Sequence, residues 1–314
     1  MLFRSLLGLQ PITTDVFLPA LPALTQALGA TVEQAQLTMS ALILAFGVAQ
    51  LVWGPVADRV GRRRVLLAGL GVYVVASVGA TLAGHIEVLV AWRVLQGATL
   101  AAAVVCARAI VRDLYDPFEG AQVMSLGLSG LAVIALLSPT LGGVAMTFGG
   151  WRSTLALVSA AGIVALAWVA RELPETAPAL NPRATAPAAL LAQWRVIGRD
   201  RVFCAWTALI SASYAGLFVF LAGSSYVYIG TLGMSPAAYG VAMGSGSAAY
   251  MAGTFLCRRW VARHGMRPTV RRAAWFTLAG GASIVALAAF DVRAVWAVLL
   301  PQWLYMFAHG LHQP

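Results

Sequence analysis

Apolar runs long enough to cross a bilayer alternate with short polar gaps along nearly the whole chain. A helix needs about 20 residues to traverse a hydrocarbon core of about 30 Å. Divided at its turn and charge signals, the sequence predicts ten such helices. They run approximately over Leu2 to Leu24, Leu37 to Val56, Val65 to Ala83, Val88 to Val111, Val123 to Phe148, Thr154 to Ala170, Val202 to Leu221, Ala237 to Leu256, Ala273 to Phe290 and Ala294 to Leu311. Gly84 with His85, and Asp291 to Arg293, make short turns, so neighbouring helices are expected to form antiparallel hairpins.

Arginine is concentrated in every second gap. Arg59, Arg62, Arg63 and Arg64 fill one; the next basic gaps carry Arg108 and Arg112, then Arg171 to Arg201, then Arg258 to Arg272. Short basic loops stay on the cytoplasmic side, which puts these gaps and the N-terminus inside the cell. The expected product is a multi-pass membrane protein.

Composition agrees. With 60% hydrophobic and 10% charged residues, the 314-residue chain has too little charge to cover a soluble fold. Its net charge of +10 lies in inter-helix gaps, where topology and anionic headgroups account for it without nucleic acid. All 21 basic residues are arginine, and without lysine or a phosphate-binding glycine loop an ATP-driven pump is excluded in this polypeptide. Cys106, Cys204 and Cys257 lack metal-ligand spacing, and His85, His264, His309 and His312 are scattered, so neither metal nor other cofactor is expected. Arg4 with Leu6, Leu7 and Leu9 imitates a signal peptide, but Pro11, Thr13, Thr14 and Asp15 interrupt it, and the segment reads as a retained first helix.

One connection differs from the rest. Glu172 to Asp200, with Pro174, Pro178, Pro182 and Pro187, is polar and proline-rich and reads as a linker. It divides the chain into an N-terminal six-helix half (residues 1–171), a cytoplasmic linker (172–201) and an incomplete second half of about four helices (202–314). The Arg59 to Arg64 cluster and the Arg258 to Arg272 cluster each fall between the second and third helices of their half. That correspondence suggests a parallel repeat, the arrangement in which transporters bind substrate between two halves near the midplane. The chain stops at Gln313 and Pro314 straight after an apolar run, so two helices of an expected twelve read as missing.

Few charges enter the spans. Asp15 lies in the middle of the first, where an ionised carboxylate costs several kcal/mol unless it faces the bundle interior or water. A carboxyl group held partly out of water can take up and release protons near neutral pH. Arg93 lies about a turn and a half, roughly 8 Å, below the end of the fourth helix; it is either buried in the bundle or snorkels to the headgroups. In the first arginine gap, Gly54 and Gly61 permit close backbone approach and a tight turn, and Asp58 can meet a helix N-terminus or an arginine. Gly240, Gly244, Gly246 and Ser247 allow tight helix contact. Trp296, Trp303, Tyr305 and Phe307 fit a membrane belt, packing, or a drug cage equally well.

The segment from Gly54 through Pro55, Asp58 and Gly61 to Arg64 resembles the loop signature of the major facilitator superfamily. Thr14 to Pro22, Arg93-Val94-Leu95-Gln96-Gly97, Arg108 to Tyr115, Leu173-Pro174-Glu175-Thr176, Tyr226 to Ile229 and His309-Gly310 look like the Bcr/CflA group of drug-resistance exporters. The resemblance implies an all-α integral membrane protein of the major facilitator fold. It further implies that Asp15 and Arg93 couple protons to transport, that Gln96 and Gly97 complete a helix-four motif, and that Gly54, Asp58, Arg59, Gly61, Arg62 and Arg63 form a gating loop. In the outward-facing state Asp58 would meet the start of a helix late in the second half. Phe17, Phe46 and Gln50 become candidates for the substrate cavity; Phe17 stands where the group usually has tyrosine. The glycine ladder of antiporters survives as Pro139, Gly142 and Gly143, while Ser125, Ile134 and Ser138 occupy its other glycine positions.

The expected activity is multidrug efflux, exchanging small, largely apolar drugs for protons by alternating access, in a monomer among membrane lipids. A symporter or importer on the same fold would share the loop motif but should lack the Pro139, Gly142, Gly143 remnant. A membrane-embedded enzyme or receptor would need a site in aqueous loops, which are too short outside the linker. Because the implied partner of Asp58 lies beyond Pro314, the 314 residues alone are expected to transport poorly.

Overall fold

The computed structural model describes residues 2–312; Met1, Gln313 and Pro314 lie outside the described residues. Among those described there are eleven α-helices and no strand. They are α1 (Leu2–Asp15), α2 (Leu21–Ala27), α3 (Val32–Val60), α4 (Arg62–Leu82), α5 (Ile86–Leu114), α6 (Pro117–Glu172), α7 (Pro187–Arg199), α8 (Arg201–Ser225), α9 (Pro236–His264), α10 (Met266–Ala289) and α11 (Val295–Leu311). The 56 residues of α6 hold two spans, divided at Gly150, whose φ of 65° and ψ of −166° interrupt the helix. Taking α1 with α2 as one crossing, and α7 as none, the chain makes the ten expected crossings.

Six elements are by themselves long and apolar enough to cross a bilayer: α3, α4, α5, α6, α8 with the turn after it, and α10. The others miss that threshold for local reasons. The first crossing is broken in two, α9 is rich in glycine and alanine, and α11 has 17 residues. Where the sequence suggested one continuous helix from Leu2 to Leu24, α1 ends at Asp15 and a 3-10 turn over Leu18–Ala20 leads into α2. The second part of the linker folds into α7.

The outer faces are apolar, with Leu44 and Val48 on α3, Val75 and Leu82 on α4, Val219 on α8 and Val285 on α10 all exposed. In water such surface would drive association, whereas lipid tails are its natural solvent. The most enclosed span is α5, two thirds of whose apolar stretch is buried inside the bundle.

The two arginine-bearing hairpins are built alike. α3 and α9 each have 29 residues; α3 opens on a Thr31 capping box and α9 on a Ser235 cap, and each stops at a glycine with positive φ, 105° at Gly61 and 80° at Gly265. Left-handed backbone of this kind favours glycine, which lets the next helix start at once.

Packing differs between the two ends of the bundle. At the end away from the arginine loops, one apolar cluster joins both parts of the chain, with Phe17, Leu21, Met39 and Trp151 packed together with Leu221, Tyr228, Tyr239 and Met243. At the arginine-loop end the core is divided. Leu66, Leu70, Cys106 and Val169 belong to a cluster of the first half alone, and Cys257, Ala273 and Leu311 to one of the second.

Between the halves, α6 and α9 meet backbone to backbone. A Cβ on Gly240 would strike the carbonyl of Pro139, and one on Gly143 would strike that of Pro236. Thr140 Oγ1 donates to the Gly240 carbonyl at 3.1 Å. Alanine in place of glycine inside a helix ordinarily stabilises it by about 0.5–1 kcal/mol. Gly281→Ala, with nothing within 4 Å of the new methyl, is therefore expected to raise the unfolding temperature in detergent or leave it unchanged. Gly240→Ala is expected to lower it, because the clash is with backbone and overpacking costs about 1–3 kcal/mol. Equal responses of the two variants would contradict the close α6–α9 contact.

Candidate functional site

Helix one stops at Asp15 because Pro19 stands four residues further on. Proline has no N–H and its ring collides with the carbonyl four residues earlier, here that of Asp15. The break leaves the last carbonyls of α1 inside the bundle with no helical partner. Arg93 of α5 meets them: its Nη1 donates to the Thr13 carbonyl at 3.2 Å and to Gln96 Oε1 at 2.7 Å, and its Nη2 to Met39 Sδ at 3.3 Å. The guanidinium also lies 4.5 Å from the centre of the Phe17 ring. A cation is favoured both at a helix C-terminus and over an aromatic face. Arg93 is 0% exposed, so it is buried and does not snorkel to the headgroups.

The polar contacts close into a ring. Gln96 Nε2 donates to Ser77 Oγ at 2.7 Å, Ser77 Oγ donates to the Tyr73 carbonyl at 2.7 Å, and the Tyr73 hydroxyl shares a 2.5 Å hydrogen bond with Thr13 Oγ1. Half-buried Asp15 stands beside this ring, its Oδ1 accepting from Thr14 Oγ1 at 2.7 Å. Among the described residues no ion pair joins Asp15 to Arg93.

A cavity of about 190 Å³ opens next to the broken helix, between α1, α3, α5 and α8. Thr14, Phe46, Gln50, Arg108, Tyr214 and Phe218 are among its walls. Of the three residues proposed from the sequence, Phe46 and Gln50 line this cavity and Phe17 does not. Its ring is 0% exposed, held under Arg93 and in the shared apolar cluster. Two motif glycines bring the backbones close around the site: a Cβ on Gly97 would strike the Leu42 carbonyl, and one on Gly142 the Val16 carbonyl.

The first arginine loop forms a separate constellation. Arg62 Nη2 pairs with Asp58 Oδ1 at 2.6 Å and its Nε with Asp113 Oδ2 at 3.0 Å. Asp58 is thus paired four residues along, with Arg62. Arg63 donates through Nε to the Leu173 carbonyl at 2.7 Å and through Nη2 to the Ala170 carbonyl at 2.9 Å, capping the end of α6; Arg59 Nη1 donates to Thr185 Oγ1 at 2.7 Å. Glu175 accepts from the backbone N–H of Arg62 at 2.8 Å and of Arg63 at 3.2 Å. It lies against Gly61, where a Cβ would crowd its carboxylate. Gly54 departs from expectation: the nearest atom to its Cβ position is at 3.9 Å, so no close approach depends on it.

Sequence reading missed Thr13, Tyr73, Ser77, Asp113 and Glu175 as members of these constellations. Asp113 and Glu175 had a signal, being carboxylates inside arginine-rich gaps and within the motif segments Arg108 to Tyr115 and Leu173 to Thr176. Glu175 gives α4 the cap that Gly61, with no side chain, cannot provide. Burial opposes the Glu175 charge, but the N–H groups of Ala177, Arg62, Arg63 and Thr176 outweigh it and hold the carboxyl below the ordinary glutamate range.

Comparison with known proteins gives a family, relatives and a fold. A family model described as Major Facilitator Superfamily matches residues 6–314. The chain is 31% identical over 296 residues to a chloramphenicol resistance protein of Pseudomonas aeruginosa, covering 92% of this chain and 68% of that protein. It is 29% identical over 320 residues to multidrug resistance protein D of Escherichia coli, covering 98% and 77% respectively. The curated relatives are longer, and the chain spans from 63 to 77% of the length of those most similar to it. Among solved structures, the xylose transporter XylE from E. coli in a partially occluded inward open conformation superposes with a TM-score of 0.77. At 15% identity, over 99% of this chain and 83% of that one, this likeness is one of fold.

Glu175→Gln keeps the shape of the cap and removes its charge. The Glu175 carboxyl binds its proton less readily in the folded protein than in the unfolded one, so its stabilisation is complete above the unfolded pKa and lost as pH falls through the folded one. The variant is expected to unfold more easily than the wild type near neutral pH, by about 0.3–1 kcal/mol, the worth of a negative charge at an exposed helix N-terminus. That difference should close as pH falls below the ordinary carboxylate range, about 4. Unfolding curves across that pH range check it; a gap that persists in acid would contradict a role for the charge.

Proposed function

Because this chain belongs to the major facilitator superfamily, with relatives of the Bcr/CflA drug-resistance type, we propose that it is a multidrug exporter. It moves small, largely apolar drugs out of a bacterial cell through the inner membrane in exchange for protons, with its N-terminus and arginine loops in the cytoplasm. The observation that carries this reading is the uneven core, shared by both halves at one end of the bundle and divided at the arginine-loop end, with the cavity between. Such a core is what a transporter open to the cytoplasm requires. Hydrogen bonds between the halves at the shared end, Thr25 Oγ1 with the Tyr226 hydroxyl at 2.8 Å and Gln36 Nε2 to the Ala222 carbonyl at 3.3 Å, support the same closure. Drug-sized ligands occupy about 300–1,000 Å³, so the 190 Å³ cavity would widen when one enters.

Asp15 is the coupling group in this reading. Thr14 ties it to the cavity wall, and Arg93 fixes the end of the broken helix on which it stands. Phe46, Gln50, Tyr214 and Phe218 offer an aromatic and hydrogen-bonding surface suited to neutral drugs. Export, not import, is favoured by the drug-resistance names of the relatives and by the Pro139, Gly142, Gly143 remnant, in which Gly142 meets the break after α1 and Pro139 and Gly143 meet α9.

If drug and proton compete through Asp15, binding of one must expel the other. Adding chloramphenicol to the purified chain near neutral pH is expected to release protons from the wild type, read with an indicator dye. From Asp15→Asn the release should fall to baseline while the protein still inserts and folds. In proteoliposomes carrying a transport-competent protein, the same substitution should cut pH-driven drug exchange by about tenfold or more, as loss of a coupling carboxylate in the bilayer implies. Undiminished proton release or exchange by Asp15→Asn would refute the coupling role.

A further inference from the structure

At the arginine-loop end, a second cavity lies between α3, α5 and the linker helix α7, with a volume of about 590 Å³. Asp58 and Arg62 stand on one side, Arg108 and Arg112 on the α5 side, and Gln193 and Trp194 on α7. Its lining holds three guanidiniums against one carboxylate, and that carboxylate is already paired with Arg62. Arg108 and Arg112, one turn apart on the same face of α5, have no hydrogen-bond or ion-pair partner among the described residues.

Arg62 supplies the decisive detail. It is only 4% exposed, its Nε is bonded to Asp113 and its Nη2 to Asp58, yet its Nη1 is buried without any partner. An unmet donor on a buried charge is costly, and native proteins satisfy nearly all such groups. The Arg62 guanidinium on one wall, two more guanidiniums without partners among the described residues in the same cavity and an indole on the facing helix make an oxyanion site, since arginine matches the oxygen geometry of phosphate.

We propose that this vestibule binds a phosphate-class oxyanion, held by Arg62, Arg108 and Arg112 beneath α7. Two sources share that chemistry: the headgroup of an anionic phospholipid of the adjoining leaflet, and free phosphate. The lipid source has the better fit, because Leu51, Pro55 and Leu190 add an apolar wall on which a glycerol backbone can rest. It is also the source that anionic headgroups at a basic membrane face would supply. The site shares the Arg108 side chain with the wall of the first cavity, but it does not depend on the export reading.

The test uses the full chain, with Arg108→Gln/Arg112→Gln as one variant and Arg62→Lys as a second, which keeps a charge for Asp58 but removes the forked guanidinium. Arg267→Gln/Arg271→Gln in the other arginine loop matches the first variant's charge change outside the site. Native mass spectrometry from detergent, after exposure to phosphatidylglycerol or phosphatidylcholine, reads the lipid retained. The wild type and the charge-matched control are expected to retain phosphatidylglycerol preferentially. Both site variants should retain about tenfold less of it, a change of about 1.4 kcal/mol. A second arm adds inorganic phosphate to lipid-free protein and tracks unfolding temperature. A saturable rise that the site variants abolish, without selective lipid retention, assigns the site to free phosphate. Site variants that match the wild type in both arms, or a charge-matched control that loses as much lipid as they do, would overturn the proposal.

Discussion

A guanidinium sealed in the bundle without a carboxylate partner is the constraint on which the first half of this protein depends. Arg93 is fully buried, and a buried charge must be hydrogen-bonded or it destabilises the fold by several kcal/mol. Regular helices offer no free carbonyls along their length. The break at Asp15, forced by Pro19, creates them, and the Thr13 carbonyl, the Gln96 amide oxygen and the face of Phe17 together serve in place of an anion. Removing the proline, the amide or the arginine would strand the others. The close contacts at Gly97 and Gly142 belong to the same requirement, since they bring α3 and α6 near enough to keep water from the broken end.

Much of the chemistry lies on one helix. Arg93, Gln96, Leu100, Val104, Arg108 and Arg112 succeed one another along α5 at spacings of three or four residues, which keeps them on one face. From one end to the other this stripe passes from the sealed ring, through the cavity wall, to the vestibule beneath α7. Arg108 lines both cavities, so a single side chain separates them. A small rotation of α5 would therefore alter all three environments together, because a rigid helix transmits displacement along its length.

The crossings and the place of Asp15 within the first of them were legible in the sequence because each is encoded locally, by run length and by a lone carboxylate. The break in helix one was not, although Pro19 and Pro22 were in view. Spanning helices often tolerate proline when neighbours satisfy the freed groups, and only the position of Arg93 decides that here they do so by opening the helix. Phe17 was misplaced for a related reason: in a continuous helix it could face the cavity, but after the break it turns under the guanidinium. Glu175 escaped notice because its partners, the N–H groups of Arg62 and Arg63, lie more than a hundred residues earlier. α7 was hidden by its setting, thirteen helical residues inside a proline-rich connection whose composition favours a coil.

The uneven core also bears on what can move. Where α6 meets α9 the contact is backbone on backbone, through Gly143 and Gly240, with few long side chains to interlock. Such a surface lets two helices rock against each other while keeping contact, as small-residue crossings in membranes do. At the shared end the halves are held by a side-chain cluster and a few hydrogen bonds, each worth about 1 kcal/mol net. The costly groups, Arg93 and the Arg62 pairs with Asp58 and Asp113, lie inside the first half and need not be disturbed. Motion between the halves can thus proceed through the cheap contacts and spare the expensive ones, which is the energetic condition for a bundle that opens alternately at its two ends.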